Sequence, residues 1–170
     1  MKLCGIFSIA IFLVAQISAQ YISPTPMVTK KYYLITLAPV NWFKAFNHCR
    51  SMDMNLVSIT SKEENDRIIK QIQDENHQDK DFWTSGNKLG SNGVYQWMST
   101  GKVVKFTDWA QGQPDNQFRE NQHESCINIF NIGRGPGAGL MWNDHLCSAE
   151  LYFICEQDFI QYGYCVNQTC

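Results

Sequence analysis

The chain has 170 residues, 44% hydrophobic and 13% aromatic, with a formal net charge of −2. That length and apolar content suit one domain with a packed core plus short extensions. The balanced charge excludes the basic patch that nucleic acid requires, and no run of like charge marks a membrane-surface segment.

Residues 1–19 read as a secretory signal peptide. Lys2 supplies the positive start, Ile6 to Val14 an apolar stretch too short to span a bilayer, and Ile17-Ser18-Ala19 the cleavage site, so the mature chain is expected to begin at Gln20. No other stretch approaches transmembrane length, and the product is expected to be secreted, extracellular and without a membrane span. Seven cysteines are present, one of them Cys4 in the signal. The others, Cys49, Cys126, Cys147, Cys155, Cys165 and Cys170, form an even set in an exported chain and read as disulfides whose pairing the spacing leaves open.

Residues 20–30, with Pro24 and Pro26, are expected to form a loose arm. Tyr32 to Ile35 reads as a strand from its aromatic and β-branched content. A first helix is expected to begin near Pro39 or Asn41, with Trp42, Ala45, Phe46, Cys49 and Met52 recurring on one apolar face. Leu56 to Ile59 reads as a short buried strand. A second helix opens on Ser61-Lys62-Glu63-Glu64, a capping box in which Ser61 and Glu64 are expected to satisfy each other's backbone N–H groups. Ile68, Ile69 and Ile72 form its apolar face, and residues 74–81 a charged exit loop. Short strands follow at Phe82 to Thr84, Val94 to Met98 and Val103 to Phe106, the last two joined by a turn at Ser99 to Lys102. Residues 107–125 and 131–141 read as long irregular loops, a feature uncommon in compact domains unless it serves function. Cys126 to Phe130 and Leu151 to Cys155 are the closing strands.

The first long loop and the segment near Cys147 concentrate side-chain oxygen. Gln113, Asp115, Glu124, Asn143 and Asp144 offer three carboxylates and two amides, with no thiolate or imidazole among them. Such hard donors suit Ca²⁺, whereas Zn²⁺ takes His or Cys. Pro114 adds a bond that goes cis at small cost, a geometry that turns both flanking side chains toward one point. His123 and His145 each adjoin one of these residues, and a protonated imidazole at the site would oppose the ion. Other chemistry is poorly supplied. The glycine-rich stretch from Gly133 to Gly139 lacks the ending of a phosphate loop, and the scattered histidines form no hydrolase order, so no enzyme is expected. Asn167-Gln168-Thr169 is an N-glycosylation acceptor.

These motifs resemble the C-type lectin domain, in particular secreted single-domain lectins of invertebrates. The resemblance rests on Phe82-Trp83-Thr84-Ser85-Gly86, Gln113-Pro114-Asp115, Glu124 two residues before Cys126, Trp142-Asn143-Asp144 before Cys147, and Cys155 in the last strand. It covers about residues 31–157, leaving 158–170 as a C-terminal tail. It implies an α+β fold of two helices and short, mostly antiparallel strands, with a long disulfide-stapled ligand loop. It also implies Cys49–Cys155 and Cys126–Cys147 bridges. Cys165–Cys170 is then the pairing left over, with bridging between chains as its alternative. By the same resemblance Gln113, Asp115, Glu124, Asn143 and Asp144 hold Ca²⁺ and hydrogen-bond two neighbouring sugar hydroxyls. The glutamine-proline-aspartate order resembles galactose-type sites, so galactose or N-acetylgalactosamine glycans and glycoproteins are the expected partners. Galactose-type members often place a tryptophan just after the motif. Here Asn116, Gln117 and Phe118 follow, and Phe118 is the candidate for stacking on the sugar. Asn116 and Ser125 stand where an accessory Ca²⁺ site commonly has acids, and that site is not expected. The rival reading is a lectin-like domain that binds a protein or other non-sugar ligand, with Ca²⁺ structural or absent.

Overall fold

The computed structural model describes residues 25–133 and 139–163. The expected signal peptide, the expected Asn167 acceptor, Cys165, Cys170 and most of the glycine-rich stretch lie outside the described residues. The chain divides into two units, Val28–Ile160 and Met1–Met27 with Gln161–Cys170, and the fold below is that of the first.

Strand β1 (Thr25–Val40) leads into helix α1 (Trp42–Ser51), β2 (Asn55–Leu56) and helix α2 (Lys62–Asp74). The rest is β: β3 (Phe82–Asn87), β4 (Gln96–Trp97), β5 (Lys102–Val103), β6 (Phe118–Arg119), β7 (Gln122–His123), β8 (Cys126–Asn131), β9 (Leu140–His145) and β10 (Leu151–Gly163). The main sheet runs β1-β10-β3-β4-β5, with β2 added to β10, β8 added to β3, and β9 to β8. β10 pairs parallel with β3, while β2–β10, β3–β4, β4–β5, β3–β8 and β8–β9 are antiparallel. The α+β expectation holds.

Several boundaries differ from the sequence reading. The strands expected at Leu56 to Ile59, Val94 to Met98 and Val103 to Phe106 are Asn55–Leu56, Gln96–Trp97 and Lys102–Val103, and the loop expected over 107–125 holds the β6–β7 hairpin. β1 starts at Thr25, inside the stretch expected as a loose arm. β10 runs to Gly163, into the expected tail. The segment 140–145, split between a loop and an unassigned motif, is strand β9. Its alternation of buried and half-buried positions marks it as a strand, but Asn143-Asp144-His145 carries polar side chains on both faces, and that concealed the period.

The helices stand where their caps put them. Asn41 Oδ1 accepts the Lys44 N–H at 3.0 Å and starts α1; Ser61 Oγ accepts the Glu64 N–H at 3.2 Å and starts α2. Only half of the expected capping box forms. Glu64 sends its carboxylate to the Thr60 N–H at 2.7 Å rather than to Ser61, and it also accepts from Lys30 Nζ at 2.8 Å and the Tyr32 hydroxyl at 2.9 Å. A buried carboxylate seeks charged and hydroxyl donors, which here come from β1.

Two apolar clusters result. Ile68 and Ile72 of α2 pack with Phe82, Trp97, Ile127, Ile129, Trp142 and Ile154. Trp42, Ala45 and Cys49 of α1 pack with Leu56, Trp83 and Phe153. Phe82 and Trp83, adjacent in β3, therefore serve different clusters, as alternation along a strand requires. Met52, expected on the α1 face, is instead exposed at the helix end. Cys49–Cys155 (S–S 1.98 Å) ties α1 to β10, and Cys126–Cys147 (S–S 2.04 Å) ties β8 to the segment after β9.

Candidate functional site

The site grows from Trp142. Its indole is fully buried, with Trp97, Phe106 and Trp109 packed edge-on at 5.6–5.8 Å, and its Nε1 donates to Asn65 Oδ1 of α2 at 2.9 Å. Its backbone holds the incoming chain: Trp142 N donates to Asp108 O at 2.8 Å, and Ala110 N donates to Trp142 O at 2.9 Å. Gln113 N then donates to Ala110 O at 2.9 Å and begins a loop that contains a cis Gln113–Pro114 bond. This loop passes through Asn116 in a left-handed conformation (φ 52°) and enters the β6–β7 hairpin. Glu120 and Asn121, at the hairpin tip, both have positive φ (51° and 59°), the twist that a two-residue connection between strands requires.

The loop is fastened to Asp144. The Asp144 side chain is fully buried, and its two oxygens accept from four donors. These are the Asp115 N–H at 3.0 Å, the Asn116 N–H at 3.1 Å, the Tyr95 hydroxyl at 2.9 Å and Lys88 Nζ at 3.2 Å. Tyr95 is held firmly protonated, first by burial and then by Asp144, so it remains a donor. Asp115 is exposed. Burial is the largest single influence and raises its pKa, but hydrogen bonds with Gln117, Glu124 and Gln113 together outweigh it and hold Asp115 below the usual range. Gln113 Nε2 donates to Asp115 Oδ2 at 3.3 Å, and Gln117 Nε2 to the same oxygen at 2.5 Å.

Glu124 is buried behind the hairpin. Asp115, Glu124 and Asp144 each bring a carboxylate oxygen within 4.8 Å of the other two. Three like charges so close are costly. Burial first, then the hydrogen bond shared with Asp115 and the repulsion of Asp115 and Asp144, push Glu124 up to about 7. Arg119 is the opposing charge, 3.6 Å from Glu124 and half exposed.

Of the predicted site residues, Gln113, Asp115, Glu124 and Asp144 meet at this point. Asn143 adjoins Asp144 on β9, and its Nδ2 donates to Asn128 Oδ1 at 3.1 Å. Phe118 lies on β6, 61% exposed, with its ring 4.9 Å from that of His123. His145 does not face the carboxylates. It accepts the Leu146 N–H at Nδ1 (2.8 Å), packs edge-on against Trp83, and burial holds it neutral below its usual range. At the expected accessory positions, the Asn116 backbone serves Asp144 and Ser125 Oγ donates to His123 O at 3.1 Å. Sequence reasoning missed Lys88, Tyr95 and Arg119. None belongs to a motif; only the folding of β3, β4 and β6 around one loop gathers them.

The donor set fits a hard divalent cation. Three carboxylate oxygens lie within 4.8 Å of one another with the Gln113 amide bonded to Asp115, and among the described residues no thiolate or imidazole joins the cluster.

Residues 38–157 match the family model for the lectin C-type domain. A C-type lectin of Aedes aegypti, mosGCTL-7, is 32% identical over 131 residues, covering 75% of this chain and 83% of the relative. C-type lectin 37Db of Drosophila melanogaster is 32% identical over 129 residues, covering 76% of this chain and 79% of the relative. Among solved structures, the carbohydrate-recognition domain of the mouse scavenger receptor C-type lectin superposes with a TM-score of 0.61 at 25% identity, covering 80% of this chain and 94% of that one.

Proposed function

This chain belongs to the C-type lectin domain family, and from that premise we propose that it is a secreted, Ca²⁺-dependent carbohydrate-binding protein of galactose or N-acetylgalactosamine type. C-type lectins are a non-enzymatic family, and the reading is of binding without catalysis. The observation that carries it is the convergence of Asp115, Glu124 and Asp144 oxygens within 4.8 Å, with Gln113 against Asp115. Gln113, Asp115, Glu124, Asn143 and Asp144 are assigned as the residues that hold the ion and hydrogen-bond two vicinal sugar hydroxyls. When bound, Ca²⁺ would polarise those hydroxyls, which would donate hydrogen bonds to the carboxylates and accept them from the amide N–H groups.

Specificity is assigned to the order of amide and carboxylate. Gln113 precedes Asp115, so donors and acceptors lie around the diol in the sense opposite to a glutamate-proline-asparagine order. Galactose presents an axial 4-hydroxyl beside an equatorial 3-hydroxyl, while mannose presents two equatorial hydroxyls there. A site matched to one pair leaves polar groups mispaired on the other, at about 1–3 kcal/mol for each buried one. Phe118, exposed on β6, is assigned the stacking contact on the sugar's apolar face.

The test is retention on galactose-agarose in Ca²⁺, release by a chelator, and competition by free galactose and mannose. Wild type is expected to release with galactose first, and the double variant Gln113→Glu with Asp115→Asn to shift toward mannose. Wild type preferring mannose refutes the assigned specificity. Retention that survives the chelator refutes the Ca²⁺ dependence, and no retention in Ca²⁺ favours a lectin-like domain with a non-sugar or protein ligand.

A further inference from the structure

The three-carboxylate cluster lies between two cations, and these differ in their partners. Arg119, on the exposed β6–β7 hairpin, approaches Glu124 only to 3.6 Å with its side chain 54% exposed, and its hydrogen bonds go to Gln117 Oε1 rather than to a carboxylate. Lys88 bonds a carboxylate directly. It follows directly on β3, its backbone N–H donates to Ser125 O at 3.0 Å, and its side chain is only 12% exposed. Nζ donates to the Tyr95 hydroxyl at 2.9 Å and to Asp144 Oδ2 at 3.2 Å, and it stands 4.8 Å from the Tyr95 ring centre. The ring and its hydroxyl hold the ammonium against a fully buried carboxylate.

We propose that Lys88 is the resident cation of this site, with two opposed effects. In the metal-free protein it neutralises Asp144 and so keeps the Gln113–Gln117 loop fastened. Toward a divalent ion it is a competitor on the same carboxylate. The inference rests on the reading of Asp115, Glu124 and Asp144 as a Ca²⁺ site.

The first effect follows from the donors on Asp144. Two are the backbone N–H groups of Asp115 and Asn116, the residues just after the cis bond. The Lys88 ammonium at 3.2 Å is the counter-charge of this buried carboxylate, and the loop backbone makes charge-assisted bonds to the pair. The second effect is Coulombic. A fixed positive charge on the carboxylate that an incoming divalent ion shares must repel that ion. In a partly solvated site this lowers affinity by roughly tenfold. The domain thereby gains a preformed loop at the expense of metal affinity.

The experiment compares wild type with Lys88→Met, which keeps the apolar stem, and with Lys88→Gln, which keeps a donor toward Asp144. Ca²⁺ affinity is read by calorimetric titration, and amide hydrogen exchange at Asp115 and Asn116 is read in EDTA. Both variants are expected to bind Ca²⁺ about tenfold more tightly than wild type. Lys88→Met is expected to exchange the two amides about tenfold faster in EDTA, with protection restored by Ca²⁺, and Lys88→Gln to fall between. If Lys88→Met does not fold, Lys88→Gln alone decides the sign. Variants that bind Ca²⁺ with wild-type or weaker affinity overturn the competition. Unchanged exchange overturns the fastening role. A wild-type protein that takes up no Ca²⁺ refutes the Ca²⁺ reading itself, and the exchange arm still tests the hold of Lys88 on the loop.

Discussion

Asp115 and Asp144 are both assigned to the ion, yet their places in the fold differ, and a paired substitution separates binding from folding. Asp144→Asn removes the charge from a side chain that is fully buried and accepts from four donors at 2.9–3.2 Å. The new amide offers one acceptor oxygen and turns an NH₂ toward groups that are themselves donors. Lys88, 12% exposed, loses its counter-charge. Breaking a buried pair on one side costs about 3–5 kcal/mol, and partial solvent access at Lys88 places the expected loss near the lower end, about 3 kcal/mol. Asp115→Asn removes charge from an exposed residue whose side chain bonds Gln113 and Gln117 of its own loop and shares a bond with Glu124, and it relieves the repulsion on Glu124. Its effect on stability should stay within about 0.5 kcal/mol. Urea unfolding in EDTA is the assay. With a slope of about 1–3 kcal/mol per molar, Asp144→Asn should lower the midpoint by roughly 1–3 M while Asp115→Asn leaves it in place. Both should lose Ca²⁺ in a titration. Equal midpoints for the two variants would refute the view that Asp144 holds the loop.

Two further outcomes follow from the staples and from the Lys30 cluster. Chain entropy assigns about 5 kcal/mol to Cys49–Cys155, which spans 106 residues, and about 3 kcal/mol to Cys126–Cys147, which spans 21; paired alanine substitutions should lose stability in that order, and the reverse order in denaturant melts contradicts the entropic account. Glu156 and Glu64 share the Lys30 ammonium at 2.8 Å each, and Glu64 keeps its charge through its added donors Thr60 and Tyr32, while burial holds Glu156 up to about 7. Because that value exceeds the ordinary 4.5, the stability it contributes is full below 4.5 and lost as pH rises through about 7. Glu156→Gln should therefore be more stable than wild type by about 1–3 kcal/mol at pH 8, with the difference closing by pH 5, and a pH-independent difference in melting would contradict this.

The apolar period and the caps made both helices legible, because Asn41 and Ser61 start them through local bonds that need no tertiary partner. The two bridges followed from family resemblance rather than from spacing, since six cysteines alone leave their pairing open. What stayed illegible depends on contacts distant in sequence. Lys30 at the start of β1 meets Glu64 of α2 and Glu156 of β10, and only the sheet order brings the three together. β9 was obscured because Asp144 and Trp142 share the buried face, and a carboxylate at a core position breaks the pattern that marks a strand. Its burial is tolerable only because Lys88, Tyr95 and two backbone amides arrive from elsewhere.

The same facts divide labour within the site. Asp144 has little freedom, since its oxygens are engaged by the loop backbone, a tyrosine and an ammonium. Asp115 and Gln113 sit on the loop surface and bond mainly to each other and to Gln117. Exchanging amide for carboxylate between these two positions keeps the number of oxygens and the net charge, and it leaves the bonds to Asp144 in place, because those come from backbone N–H groups rather than from side chains. Selectivity can therefore change at Gln113 and Asp115 without loosening the loop, whereas a change at Asp144 or Lys88 alters loop and ion together. On this arrangement the loop-surface side chains assigned to the sugar are the substitutable part of the site, and the buried Asp144–Lys88 pair is the part that the fold requires.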